Sequence, residues 1–214
     1  LAHTRPELVE GMVQENDDGT YRVDFEGGDN SVLVTDQMPH QQHTYTDSAG
    51  NVQTYDTLAY GRSTDADETW VGVTEKAYAA SYGGGQGYEG VGHGDWPSVA
   101  LDRTTGGQTT THNIAGANEA LWSDLQAAQD SRHPMVASSV GTPAAGSPVV
   151  GNHAYTVMGV SEDAAGDRQV HLRNPWGGSG QNSSGQERGE FNMSYDNFAR
   201  DYHRVDINDP DASP

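Results

Sequence analysis

The chain has 214 residues, with 31 Asp plus Glu against 11 Lys plus Arg and a formal net charge of −20. So acidic a surface repels nucleic acid and anionic membranes, and both are discounted as partners. A hydrophobic content of 33%, with 27 Gly, 9 Pro and no Cys, bounds the chain to one large domain or two small lobes, with neither disulfides nor a zinc–thiolate site.

No apolar run reaches about 18 residues, so no membrane-spanning helix is expected. The chain opens with Leu1 and not Met, and reads as a fragment or processed product. Leu8, Val9, Met12 and Val13 recur at helical spacing and predict a helix from Arg5 to Gln14, with Pro6 in its first turn. Thr20 to Phe25 alternates as a strand, Gly27-Gly28-Asp29-Asn30 turns it, and Ser31 to Thr35 returns. Asp36 to Asp67 is polar and reads as loop. His40 and His43 within it have no carboxylate or Cys at ligand spacing and read as solvated loop histidines. Trp70 to Tyr82 is the clearest helix, capped by Asp67 or Thr69, striped by Trp70, Val73, Ala77 and Ala80, and ended by Gly83. Asn118 caps a second helix with Leu121, Leu125 and Ala128 on one face, and Pro134 to Val140 is a strand. Thr142 to Pro148 is a Gly/Pro/Ala loop, either a gate beside a cleft or a plain connector.

Gly151 to Val160 and Val170 to Gly177 read as two strands, with Glu162 to Asp167 as a polar turn between them. Alternation puts His153, Tyr155 and Val157 on one face, and Val170, Leu172 and Asn174 on one face of the other strand. With Val160 opposite Asp167, His153 falls opposite Asn174, within about 4.5–5.5 Å between Cβ atoms. A slip of one residue would separate the two. An imidazole oriented by an uncharged amide suits a Cys nucleophile, because a thiolate–imidazolium pair balances its own charge. The bland alternative is a strand-edge His and a turn-forming Asn before Pro175.

His153-Ala-Tyr-Thr-Val157 followed by Leu172-Arg-Asn-Pro-Trp-Gly177 resembles the calpain branch of the papain-like cysteine proteases. The likeness continues in order through Pro6-Glu7-Leu8, Asp18-Gly19-Thr20-Tyr21, Val34-Thr35-Asp36, the Glu75-Lys-Ala-Tyr-Ala79 run, Asp102 to Gly107, and the strand–helix–strand close from Gly189 to Ile207. It implies an α+β papain-like fold, with a partial helical lobe over 1–105, a strand-rich antiparallel lobe over 106–208 and a tail over 209–214. A cleft between the lobes would hold an extended peptide. It also implies that His153 and Asn174 are the second and third members of a Cys-His-Asn triad. Trp176 would pack over them as a shield from water; otherwise it is an ordinary buried aromatic.

On the same resemblance Leu1 falls just after the helix that bears the Cys. The nucleophile is then expected upstream of this chain, and the chain alone is expected to be inactive. Its implied partners are a peptide or protein substrate and the N-terminal Cys-bearing segment of the same protein. Glu89 matches a position where calpains place a calcium ligand, although its co-ligands are absent. At a second calcium position stand Gly180 and Arg188, leaving Glu190 alone, so that site is expected to be lost. The competing reading is a protease relative without a nucleophile that retains a peptide-binding groove.

Overall fold

A computed structural model describes residues 1–28, 31–59, 69–176 and 189–212, with Thr57 and Leu58 described in backbone only. The expectations on Asp29 and Asn30, on Asp67 as a cap, on the loop 178–185, on Gly180 and Arg188, and on the end of the tail lie outside these residues. The fold is α+β with antiparallel sheets. Its elements in order are α1 (Pro6–Met12), β1 (Val13–Glu15), β2 (Thr20–Val23), β3 (Val32–Thr35), β4 (His40–Thr46), β5 (Val52–Leu58), α2 (Trp70–Tyr82), α3 (Tyr88–Val91) and α4 (Pro97–Thr105). Then follow β6 (Gln108–Asn113), α5 (Glu119–Asp130), β7 (Met135–Ser139), β8 (Ala154–Glu162), β9 (Arg168–Arg173), β10 (Glu190–Ser194), α6 (Tyr195–Asp201) and β11 (Tyr202–Asp209).

The chain divides into two compact units, Glu10–Asp95 on the one hand and Leu1–Val9 with Trp96–Pro214 on the other. This division precedes α4, ahead of the 105/106 boundary expected from sequence. In the first unit β1, β2 and β3 form a small meander. Lys76 on α2 donates from Nζ to Thr35 O, Thr35 Oγ1 and Gln37 O at 3.1, 2.7 and 2.7 Å. The only lysine of the chain thus fastens the end of β3 to α2. Three details differ from the expected α2. Thr69 makes no side-chain cap, and the buried face is Gly72, Val73, Ala77 and Ala79, with Ala80 exposed. The polar stretch expected to be loop carries β4 and β5, an antiparallel hairpin. His40 and His43 therefore lie on a strand, with His43 stacked on Tyr55 at 5.2 Å.

In the second unit a six-stranded sheet runs in the order β10-β9-β8-β7-β11-β6. One face buries Leu121, Trp122, Leu125 and Ala128 of α5 against Met135, Tyr155, Val157, Val170 and Leu172. The expected Asn118 cap is present, its side chain accepting the Leu121 N–H at 3.0 Å. Elsewhere α4 meets the sheet through polar groups, Asn208 Nδ2 donating to Asp102 Oδ1 and Thr109 Oγ1 at 3.3 and 3.0 Å.

The β8–β9 hairpin corrects the expected register. Its turn closes later, between Asp163 and Asp167, with Gly166 at φ +86°. Asp163 Oδ1 accepts the N–H groups of Ala165 and Asp167, both at 2.9 Å, so the turn is fixed by its own side chain. Val160 consequently pairs with Val170, not with Asp167. The register then changes between Val157 and Gly159: Gly159 pairs with His171 but Val157 with Leu172, so Met158 is an extra, bulged residue. Continued at that register, Asn174 lies opposite Tyr155, and His153 is its diagonal neighbour on the same face.

Candidate functional site

The approach to β8 is a tightly held loop. Ser139, 1% exposed at the end of β7, is the clamp. Its N–H donates to the His153 carbonyl at 3.0 Å, and its hydroxyl accepts the His153 N–H at 2.9 Å and donates to the Val150 carbonyl at 2.7 Å. The Val150 N–H in turn donates to the Tyr155 hydroxyl at 2.7 Å. Gly151 passes so close to Gly141 that a Cβ there would lie 2.2 Å from its carbonyl oxygen. Asn152 takes φ +52°, a left-handed conformation that Asn tolerates better than most residues. Further up the loop, buried Asp201 accepts the Ala144 N–H at 3.1 Å and pairs with Arg200 at 2.8 Å. The Arg200 pair, with that N–H and Ser147, holds the Asp201 carboxyl down at about 2 despite its burial.

At the end of this loop His153 Nε2 lies 3.0 Å from Asn174 Oδ1. Asn174 is buried, and its backbone N–H donates to Gly189 O at 3.0 Å. Its Oδ1 also accepts the Trp176 N–H at 3.0 Å. A backbone N–H can only donate, so that amide atom is the oxygen. His153 Nε2 must then carry its hydrogen toward it, which leaves Nδ1 as the basic nitrogen. Burial is the larger influence on the ring and pulls its pKa below the ordinary value; the bond to Asn174 acts the other way. A neutral imidazole with a fixed tautomer and an uncharged anchor has the chemistry to accept a proton at Nδ1.

Trp176 lies against the His153 ring at 4.1 Å and 35°. At 53% exposed it is no ordinary buried aromatic; its ring covers one side of the imidazole while half its surface meets solvent. Tyr155 meets the imidazole edge-on at 5.0 Å. His153, Asn174 and Trp176 are therefore brought together. His40 and His43 belong to the other unit, and Glu89 is exposed on the one-turn helix α3. Glu190 sits 3.8 Å from His171. Among the described residues no three His, Asp or Glu side chains are placed to share a metal ion. A calcium ion wants 6–8 oxygens, more than Glu89 or Glu190 has beside it among the described residues.

Sequence reasoning missed Ser139, the Tyr155 hydroxyl and Asp201. Ser139 reads only as a strand residue, and nothing local marks its hydroxyl as the partner of a peptide 14 positions away. Asp201 carries a faint signal, an acid beside Arg200 at the end of a helix that buries Tyr195, Phe198 and Ala199.

The profile of the calpain family cysteine proteases matches residues 4–185. The chain is 36% identical to human calpain-14 over 150 residues, 68% of this chain and 20% of that protein. It is 30% identical to the calpain-type cysteine protease DEK1 of Arabidopsis thaliana over 172 residues, 75% of this chain and 7% of that protein. With calpain-B of Drosophila melanogaster it shares 28% identity over 231 aligned positions, 91% of this chain and 23% of that protein. The chain thus spans less than a quarter of each of these relatives.

Proposed function

Because the chain belongs to the calpain family of cysteine proteases, we propose that it supplies the proton-transfer half of a peptide-hydrolysing site. The thiol would come from a segment outside these 214 residues, since the chain holds no Cys. His153 Nδ1 takes the proton of that thiol as sulfur attacks the peptide carbonyl. The resulting imidazolium hands the proton to the departing amine, and the His then activates the water that releases the acyl group. Asn174 keeps Nε2–H engaged throughout, so the ring neither flips nor changes tautomer. It does so without adding a negative charge that would overstabilise the imidazolium. Trp176 keeps water off one side of the ring, and Ser139 holds the backbone from which the ring projects.

The observation that carries this reading is the 3.0 Å bond from His153 Nε2 to Asn174 Oδ1, which points the free nitrogen away from the amide. The test mixes the chain with the Cys-bearing upstream segment of its own coding region. It then follows labelling by a thiol-directed peptide inhibitor and hydrolysis of a protein substrate. His153→Ala is expected to lower the rate of both by about 10²–10⁴-fold. Equal labelling and hydrolysis with Ala at 153 would overturn the reading.

The absence of Cys also favours a second reading, a family member that binds peptides without cleaving them. The upstream coding region separates the two. Cys on the preceding helix supports the enzyme, and Ser, Ala or Gly there supports the binding module.

A further inference from the structure

The bulge at Met158 decides which face Asn174 presents to His153. On the turn side of it Val160 pairs with Val170; on the far side Val157 pairs with Leu172. Side chains directly opposed across a ladder share a face, and a shift of one residue exchanges the faces. Without the extra residue, the pairing set by the turn would run on and bring Val157 opposite Arg173. Asn174 would then share a face with Ala154 and Thr156, and His153 would lie on the other. The observed burial keeps step with the bulge. Tyr155, Val157 and Val160 are buried on β8, one residue out of strict alternation, against Val170 and Leu172 on β9 and Asn174 just beyond its end.

A bulge leaves backbone groups without ladder partners, and those groups must be satisfied in another way. Beside this bulge, two side chains from elsewhere in the unit reach the backbone. Gln129, in the last turn of α5, accepts the Val160 N–H on its Oε1 at 2.6 Å. His3 Nε2 reaches the Met158 carbonyl at 3.0 Å. Gly159 completes the fit, because a Cβ at that position would lie 2.6 Å from Gln129 Oε1. A side chain at 159 would therefore have to displace the carboxamide.

We propose that Gln129 is a positioning residue for the His153–Asn174 pair, acting through the Met158 bulge that it pins. It touches neither ring nor amide, and sets the register on which their meeting depends. The functional consequence rests on the catalytic reading above, whereas the geometric consequence does not.

The test uses the full chain, labelled for NMR, and follows the titration of the His153 ring with and without Asn174→Ala. In the parent chain removal of the amide is expected to shift the ring titration, because the ring bonds directly to Asn174 at 3.0 Å. In Gln129→Ala that response is expected to be lost, while the melting temperature reports whether the fold survives. Gln129→Glu keeps an acceptor and is expected to retain the response. Gly159→Ala is expected to lose it, by displacing the carboxamide. Deletion of Met158 is the most severe form of the same change and should abolish the response altogether. A full response to Asn174→Ala in a folded Gln129→Ala chain overturns the inference, whatever the deletion does. Peptide hydrolysis after addition of the Cys-bearing segment is read separately. If it is absent while the NMR coupling behaves as stated, the catalytic reading fails and the positioning role stands.

Discussion

Two hairpins of this molecule are closed by the same device and put to different ends. Asp47 Oδ1 accepts the N–H groups of Ala49 and Asn51, as Asp163 Oδ1 does those of Ala165 and Asp167. Gly50 and Gly166 both take φ +86°. From the first turn β4 and β5 pair without interruption, from Thr46 with Val52 to His40 with Leu58, as an isolated two-stranded sheet. From the second turn β8 and β9 run into a six-stranded sheet, and their ladder is broken by the Met158 bulge. Turn chemistry therefore sets a starting register equally well in both. Only the hairpin with a buried face must reconcile that register with a core and with the meeting of His153 and Asn174, and only it carries the bulge.

The largest contrast is expected in the strands. Leu172 is fully buried, whereas Val52 is 68% exposed. Leu172→Ala should destabilise the second unit by about 2–5 kcal/mol, the range for emptying a packed core position. Val52→Ala should stay within about 0.5 kcal/mol. Urea unfolding of both variants checks this, and comparable losses would sink the distinction.

The turns come next. An L side chain at φ +86° is strained, so Gly166→Ala and Gly50→Ala should each cost about 1 kcal/mol locally. The losses should appear in different places. For Gly166 the penalty should lower the unfolding midpoint, because its strands belong to the main sheet. For Gly50 it should appear only as faster amide exchange over residues 40–58, since a two-stranded ladder opens on its own. A shared drop in the global midpoint would show that the exposed hairpin is part of the cooperative core.

The same contrast explains what was legible in the sequence. Apolar alternation in Tyr155, Val157, Val170 and Leu172 marks β8 and β9, and the faces of His153 and Asn174 follow from it. The register does not follow, since the turn closes at Asp163–Asp167 and the bulge spends one further residue at Met158. Neither event leaves an apolar signal; the turn moves the pairing by three residues and the bulge takes back one, so the net slip of two still leaves His153 and Asn174 on one face. For β4 and β5 there is no apolar period to read. His40-Gln-Gln-His-Thr-Tyr-Thr46 looks like loop, because these residues are mostly exposed and the ladder is held by backbone bonds and cross-strand rings. The helix over Glu119–Asp130 was readable to its cap because the Asn118 signal and the apolar stripe are both local. The clamps at Ser139 and Gln129 join residues far apart in the chain, and one sequence does not display such pairings.

Acid should act on the buried hairpin in a defined window. Burial holds the His153 ring below its ordinary value of about 6.5. The folded chain therefore binds fewer protons there than the unfolded chain. The group's contribution to stability is intact above about pH 6.5 and is lost as pH falls toward the folded value. Unfolding curves between pH 7 and pH 5 should show a smaller decline in His153→Gln than in the parent chain. Identical declines would mean that the ring is as solvated as in the unfolded chain.

The smallest expected effect lies on the exposed face of β4 and β5. Tyr45 and Tyr55 are 52% and 51% exposed and meet edge to face at 6.0 Å. Cross-strand pairs of this kind contribute roughly 0.2–1 kcal/mol to their own ladder. Tyr55→Thr places a strand-compatible β-branched residue there and removes the ring that links Tyr45 to His43. The global midpoint should therefore stay within about 0.5 kcal/mol of the parent, while amide exchange in β4 and β5 accelerates. If exchange there is unchanged, the aromatic face does not hold the hairpin, and the Asp47 turn with its backbone ladder must suffice alone. If the midpoint falls well beyond that limit, the rings are coupled to the rest of their unit, and the contrast between the two hairpins is one of degree.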